Sequence, residues 1–190
     1  MDIEKITQSF RRELGYRMDT PIDGMTLILK LKRYKNVTYK NVAIEEMPDA
    51  EARWNSEKNQ IEIRWDTFCG MNAGNPRSVM AVVHEAMHVL LGHKGVLNRA
   101  SDSYAEQAVT KISPKIRRAE SEAKRAAAAF LAPAPAIQSN WTAEDIVRRF
   151  WLSKQAAQIR INEVRNAERP KRERPDFVTE FLAELNGRKR

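Results

Sequence analysis

Cys69 is the only cysteine among 190 residues, so neither an internal disulfide nor a thiolate metal cluster can form within one chain. The sequence also lacks any apolar run near the ~20 residues that a membrane-spanning helix needs. Its first residues are polar, with Asp2 and Glu4 where a secretory leader would be basic and then apolar. No membrane partner and no export route are therefore expected, and a cytoplasmic location fits best. No internal repeat is visible, which sets aside solenoid and propeller architectures.

What is present is 42% hydrophobic and 31% charged, the balance of a globular chain. The length suits one domain with a sizeable core and a small appended element. The net charge of +8 would attract nucleic acid or an acidic partner. Much of the excess sits late, in RNAERPKRER at 165–174 and in Arg188, Lys189 and Arg190. Such runs are usually solvated tails, so DNA contact is not the favoured reading. Nothing in the pattern fixes an oligomeric state.

Along the chain, residues 3–15 suit an amphipathic helix with Ile3, Ile6, Phe10 and Leu14 on one side and Gly15 as its stop. Met25 to Tyr34 satisfies both helix and strand periods. Strands are expected over 42–47, 52–54 and 60–66, with 55–59 as a hairpin loop. In the last, Ile61, Ile63 and Trp65 alternate with Glu62 and Arg64. A loop, CGMNAGN, should follow.

Asn75-Pro76 then supplies an N-cap and a first-turn proline for a helix to about Leu91, with Gly92 placed to end it. Ser113-Pro114 repeats that start for a second long helix, stopped before Pro133. Thr142 with Asp145 reads as a capping box, and Ser153 as the cap of a further helix. The expected architecture is α+β: a small antiparallel sheet packed by helices, a helical C-terminal segment and a charged tail.

The chemistry sits in His84-Glu85-Ala86-Met87-His88, an H-E-x-x-H inside the first long helix. Residues four apart on a helix are offset by only about 40°, so both imidazoles can reach one ion. Two imidazoles and a carboxylate suit zinc and leave a fourth position for water, from which Glu85 can take a proton before returning it to a leaving amine. Manganese and iron accept similar ligands. The surrounding Val79, Met80, Val82, Val83, Val89, Leu90 and Leu91 make this helix apolar almost all round. Burying His, Glu and His together without a partner would cost roughly 2 kcal/mol or more per unsatisfied polar group, a conflict that a metal removes.

A third ligand is sought on the second helix. Glu120 shares a face with Ile116, Ala119, Ala123 and Ala127, the side expected to be buried. Glu122 instead neighbours Arg118 and Arg125, as in a solvated ion pair. Glu120 is therefore preferred. His93 is a rival ligand, but Gly92 and His93 follow His88 at four and five residues, not at the three and six of the metzincin pattern. Tyr104 and His93 are candidates for stabilising an oxyanion by chemistry and proximity alone.

Over about residues 60–165 the chain resembles the ImmA/IrrE family of metallopeptidases. HEAMHVLLGH follows the strand QIEIRWD, and ESEAKRAAAAFLAP is similar to the family's second signature, E-x-x-A-(N/D)-x-F-A-A-x-L-L-M-P. The resemblance implies Glu120 as third ligand, in agreement with the helical-face argument. Lys124 stands where the signature has Asn or Asp, Ala126 where it has Phe and Ala132 where it has Met. The amide or acid implied to support a metal-binding histidine is thus missing at 124, and Asp102 is a substitute to consider.

The resemblance further implies a zinc endopeptidase that cleaves DNA-binding repressors of helix-turn-helix type, in stress response and transcription regulation. The implied division is a zincin-like unit at 1–135, a helix-turn-helix-like segment at 136–168 packed on it, and a basic tail with a short helix at 169–190. In the middle segment Gln155, Gln158, Arg160 and Asn162 could face a DNA groove, although a helical cap on the protease is the commoner use. Strand 60–66, if an edge, could hold an extended substrate. The alternative is a DNA- or protein-binding regulator in which the metal is structural or catalysis vestigial; a small-molecule hydrolase is a third.

Overall fold

A computed structural model describes residues 2–94, 96–100 and 113–168. Within them lie seven α-helices and four strands: α1 (Ile3–Glu13), α2 (Gly24–Lys35), β1 (Thr38–Val42), β2 (Ala50–Asn55), β3 (Gln60–Arg64), α3 (Trp65–Asn72), α4 (Pro76–Leu90), β4 (Val96–Ala100), α5 (Pro114–Leu131), α6 (Ala143–Phe150) and α7 (Lys154–Glu168). The class is α+β, as expected, with helices packed on a small sheet and a helical C-terminal segment. The basic tail at 169–190, with its expected short helix, lies outside the described residues, as do Asp102 and Tyr104.

The sheet order is β1-β3-β2-β4. β2 runs antiparallel to both β3 and β4, but β1 lies parallel to β3, so the sheet is mixed where an antiparallel one was expected. β3 is internal, paired on both sides. The strand proposed as a substrate-holding edge is thus closed to strand addition, and β1 and β4 are the edges among the described strands.

Three local expectations also shift. The ambiguous stretch around Met25–Tyr34 is helix, because Leu27, Ile28 and Leu31 form one buried stripe and Asp23 caps it on the Thr26 N–H. The strand expected over 42–47 lies earlier, at Thr38–Val42. Trp65 does not continue β3 but opens α3, which occupies most of the expected CGMNAGN loop and leaves the indole 55% exposed.

Caps written in the sequence hold. Asn75 accepts from the Arg77 and Ser78 N–H groups at the start of α4. Ser113 accepts from Ile116 N–H at the start of α5, and Thr142 with Asp145 forms a reciprocal capping box on α6. Each satisfies backbone donors that a helix start leaves orphaned.

α4 packs against β2 on one side and α5 on the other, and α1 packs on α5. Close approach of α4 and α5 is permitted by Ala123, Ala126 and Ala127, all fully buried. The C-terminal segment joins the same core through Ile146, Phe150, Leu152, Ala157, Ile161 and Val164.

Two buried arginines tie the layers together. Arg11 donates to the carbonyls of Arg17, Thr20 and Phe130, so the buried stripe of α1 runs through Thr7 and Arg11 where Ile6 and Phe10 were expected. Arg160 is 2% exposed, donates to the Ala132 carbonyl at 2.7 Å and pairs with Glu4 at 2.5 Å. It therefore pins α7 to α1 and to the end of α5, and is not available to a DNA groove.

Candidate metal centre

All three histidines of the chain, His84, His88 and His93, fall in the second half of α4 or just beyond it. Eleven residues of that helix are buried, among them His84, Glu85 and His88. The two helix imidazoles sit one turn apart on the same face. Their rings meet edge to face at 4.8 Å, and their Nε2 atoms lie 3.0 Å from each other.

α5 brings Glu120 to the same point. Its Oε2 is 2.9 Å from His84 Nε2 and its Oε1 is 3.3 Å from His88 Nε2. Zinc bonded to imidazole nitrogen and carboxylate oxygen at about 2.0–2.2 Å holds tetrahedral donors roughly 3.3–3.5 Å apart. The separations of 2.9, 3.0 and 3.3 Å fall just inside that spacing, so an ion would need shifts of only a few tenths of an ångström. The donor set fits a borderline-soft divalent cation. Burial by itself would raise the Glu120 pKa, but the hydrogen bonds from His84 and His88 outweigh it and hold the carboxyl down at about 2.

A second carboxylate stands beside these groups. Single donor atoms of His84, Glu85 and His88 lie within 4.8 Å of one another. Glu85 Oε2, however, accepts the Trp54 backbone N–H of β2 at 2.8 Å. Of the two acids, Glu120 is at donor-to-donor distance from both imidazoles, whereas Glu85 is anchored to the sheet. Glu120 is thus the carboxylate placed to share one ion with both imidazoles, and Glu85 stands beside them, held by the sheet.

His93 is not a fourth member of the converging set. α4 ends in a Schellman turn: Gly92 adopts φ +71°, Gly92 N–H bonds to the Val89 carbonyl and His93 N–H to the His88 carbonyl at 2.9 Å. That turn folds His93 back against His88, putting the two Nδ1 atoms 2.8 Å apart, on the side of the His88 ring away from Glu120. The Trp54 indole donates to the His93 carbonyl at 3.0 Å. Burial and then His88 lower the His93 pKa, opposed by Glu122.

Glu122 forms the expected ion pair with Arg118, at 2.9 Å, and also faces His93 Nε2 at 3.5 Å. Lys124 is exposed, and Ile116, expected on the buried face with Glu120, is 40% exposed, because α5 enters the core only from about Ala123 onward. Sequence reasoning missed Trp54, whose two donors secure both Glu85 and His93. Nothing in an isolated strand marks it. The position of His93 was encoded, since a glycine at the first position past the helix end folds the residue after it back onto the last turn.

Fold and site together define an α+β protein with a buried His-Glu-His group on one helix and a second glutamate delivered by its neighbour. No family model matches the chain, and no curated protein is similar to it. Among solved structures it is similar to a Mycobacterium tuberculosis transcriptional regulator, at 17% identity and a TM-score of 0.56, over 84% of this chain. The chain spans 46% of that structure's length, and at such identity the likeness is one of fold alone. No described helix is long and apolar enough to cross a membrane.

Proposed function

We propose that this chain is a zinc-dependent endopeptidase of the ImmA/IrrE type, with His84, His88 and Glu120 as metal ligands and Glu85 as general base. The observation that supports it most is the convergence of three donor atoms from two packed helices at ligand spacing, with a further carboxylate beside them. When bound, the ion supplies Lewis acidity, lowering the pKa of a water towards neutrality and polarising a carbonyl; manganese accepts the same donors.

The remaining work belongs to the protein. His84 and His88 present Nε2 from a rigid, buried helix, so little ordering is left for the moment of binding. Glu120 contributes the negative charge that makes a divalent cation favourable there. Glu85 takes the proton of the attacking water and delivers it to the leaving amine. The Trp54 N–H fixes the plane of its carboxylate. An extended peptide could add to the β4 edge, next to the strand that holds Glu85.

The proposed substrate is a helix-turn-helix repressor. The resemblance of HEAMHVLLGH and ESEAKRAAAAFLAP supports it. The test is to incubate the zinc-loaded chain with repressors encoded beside its own gene and to weigh the products. Discrete fragments that vanish with a chelator and return with zinc are expected. Intact repressors under a zinc-saturated chain would sink the endopeptidase reading. Zinc bound stoichiometrically without cleavage would favour the second reading, a regulatory module with a structural ion.

A further inference from the structure

We infer that His93, backed by Glu122, is a positioning residue that supplies the proton acceptor His88 needs to take up the one tautomer able to bind a metal. The inference rests on the metal-site reading above and goes beyond it. A neutral imidazole carries one proton, so His88 can offer the Nε2 lone pair only if its Nδ1 holds that proton and finds an acceptor. The group at that place is His93 Nδ1, 2.8 Å away.

His93 has the same ambiguity, and Glu122 resolves it. A carboxylate can only accept, and Glu122 Oε2 faces His93 Nε2 at 3.5 Å. The His93 proton therefore stays on Nε2, which leaves Nδ1 as an acceptor for His88. In the metal-free protein Glu120 Oε1, 3.3 Å from His88 Nε2, can accept from that nitrogen, so coordination requires the His88 proton to sit on Nδ1 instead, where His93 Nδ1 is the acceptor. Arg118, 2.9 Å from Glu122, closes the chain at the surface.

The backbone of His93 is held for this purpose on both sides of its Cα, and its ring against that of His88. Its N–H is bonded to the His88 carbonyl by the Gly92 turn, its carbonyl takes the Trp54 indole proton, and its ring centroid lies 5.0 Å from that of His88. Supporting partners of this kind orient ligating histidines and raise their basicity, and their loss typically weakens metal binding about 10- to 100-fold. Lys124, at the place where a supporting acid or amide was sought, is exposed, and a histidine past the end of the other helix takes the role.

The test uses the full chain and its His93→Phe, His93→Asn and Glu122→Gln variants. Zinc affinity is read by competition with a chromophoric chelator, and ligand geometry by the visible absorption of the cobalt(II) form. His93→Phe keeps the ring but cannot accept, and should bind zinc about 10- to 100-fold more weakly with an altered cobalt band. His93→Asn puts an oxygen near the position of Nδ1 and should recover at least half of that loss on a logarithmic scale. Glu122→Gln should fall between the wild type and His93→Phe.

Wild-type affinity in His93→Phe, or no recovery in His93→Asn, overturns the inference. So does a cobalt spectrum showing that His93→Phe has lost a direct ligand. Melting in chelator checks the fold. If His93→Phe melts early, Glu122→Gln decides, because it leaves the packing of the two rings intact, and unchanged zinc affinity there overturns the relay. A wild-type chain that binds neither zinc nor cobalt fails at the earlier step and removes the metal-site reading itself.

Discussion

Replacing Glu120 with glutamine keeps the size of the side chain and an oxygen that can accept from His84, while removing the charge that a divalent cation needs. Four-ligand zinc sites contribute about 10–16 kcal/mol in all, or roughly 2.5–4 kcal/mol for each ligand. One lost ligand should therefore weaken zinc binding by about 10²- to 10³-fold. Glu120 touches both Nε2 atoms, at 2.9 and 3.3 Å, whereas Glu122 reaches the site only through His93. Glu122→Gln should accordingly lose about tenfold or less.

The difference can be read without an activity assay. With free zinc at about 1,000 times the wild-type Kd, binding adds ~4 kcal/mol to stability, and ~1.4 kcal/mol if Kd rises 100-fold. For a chain of this size each kcal/mol moves Tm by about 2–4 °C. Zinc should thus raise the wild-type midpoint by ~8–16 °C and that of Glu120→Gln by only ~3–6 °C, relative to the same proteins in chelator. A wild-type zinc shift in Glu120→Gln, together with loss of the shift in Glu122→Gln, would refute the ligand assignment and move it to the second glutamate.

Other outcomes follow from the same geometry. Glu85→Gln should keep zinc and lose about 10²- to 10⁴-fold in turnover of a repressor substrate, since the amide oxygen can still accept from Trp54 but cannot take a proton. In the metal-free protein, Glu120 titrates well below its usual 4.5, near 2, so the stability it contributes is present above pH 4.5 and is lost as pH falls from there towards 2. Acid titration of unfolding should show that slope in the wild type and a shallower one in Glu120→Gln. Arg160→Leu should cost ~2–4 kcal/mol in chemical denaturation, because it strands Glu4 and the Ala132 carbonyl in partly buried surroundings. Gly92→Ala meets no atom within 4 Å but forces a left-handed backbone on an L-residue, and should cost ~1–2 kcal/mol by the same measurement.

Much of the site was legible because helical spacing is local. His84 and His88 share a face by the period of the helix, and Asn75, Pro76 and Gly92 mark where that helix starts and stops. The choice of Glu120 over Glu122 came from the alanine face of α5, although Ile116, on that same face, is exposed rather than buried. Periodicity reports which side is apolar, not how far along its length a neighbour covers the helix.

Three things were set by tertiary packing alone. Whether Gln60–Arg64 is an edge depends on where β1 and β2 pair, which no property of its own residues reveals. Arg160 was expected among residues that could face a DNA groove, yet it and Arg11 are buried because carbonyls at a helix end or in a loop need donors at that place. Within the centre, the sequence by itself determined which groups could bind a metal, since the ligand types and their helical phase are encoded in a few adjacent positions. Only the folded arrangement decided that Glu120 meets both imidazoles, that Trp54 secures Glu85 and that His93 stands behind His88, because those contacts join segments that share no local period.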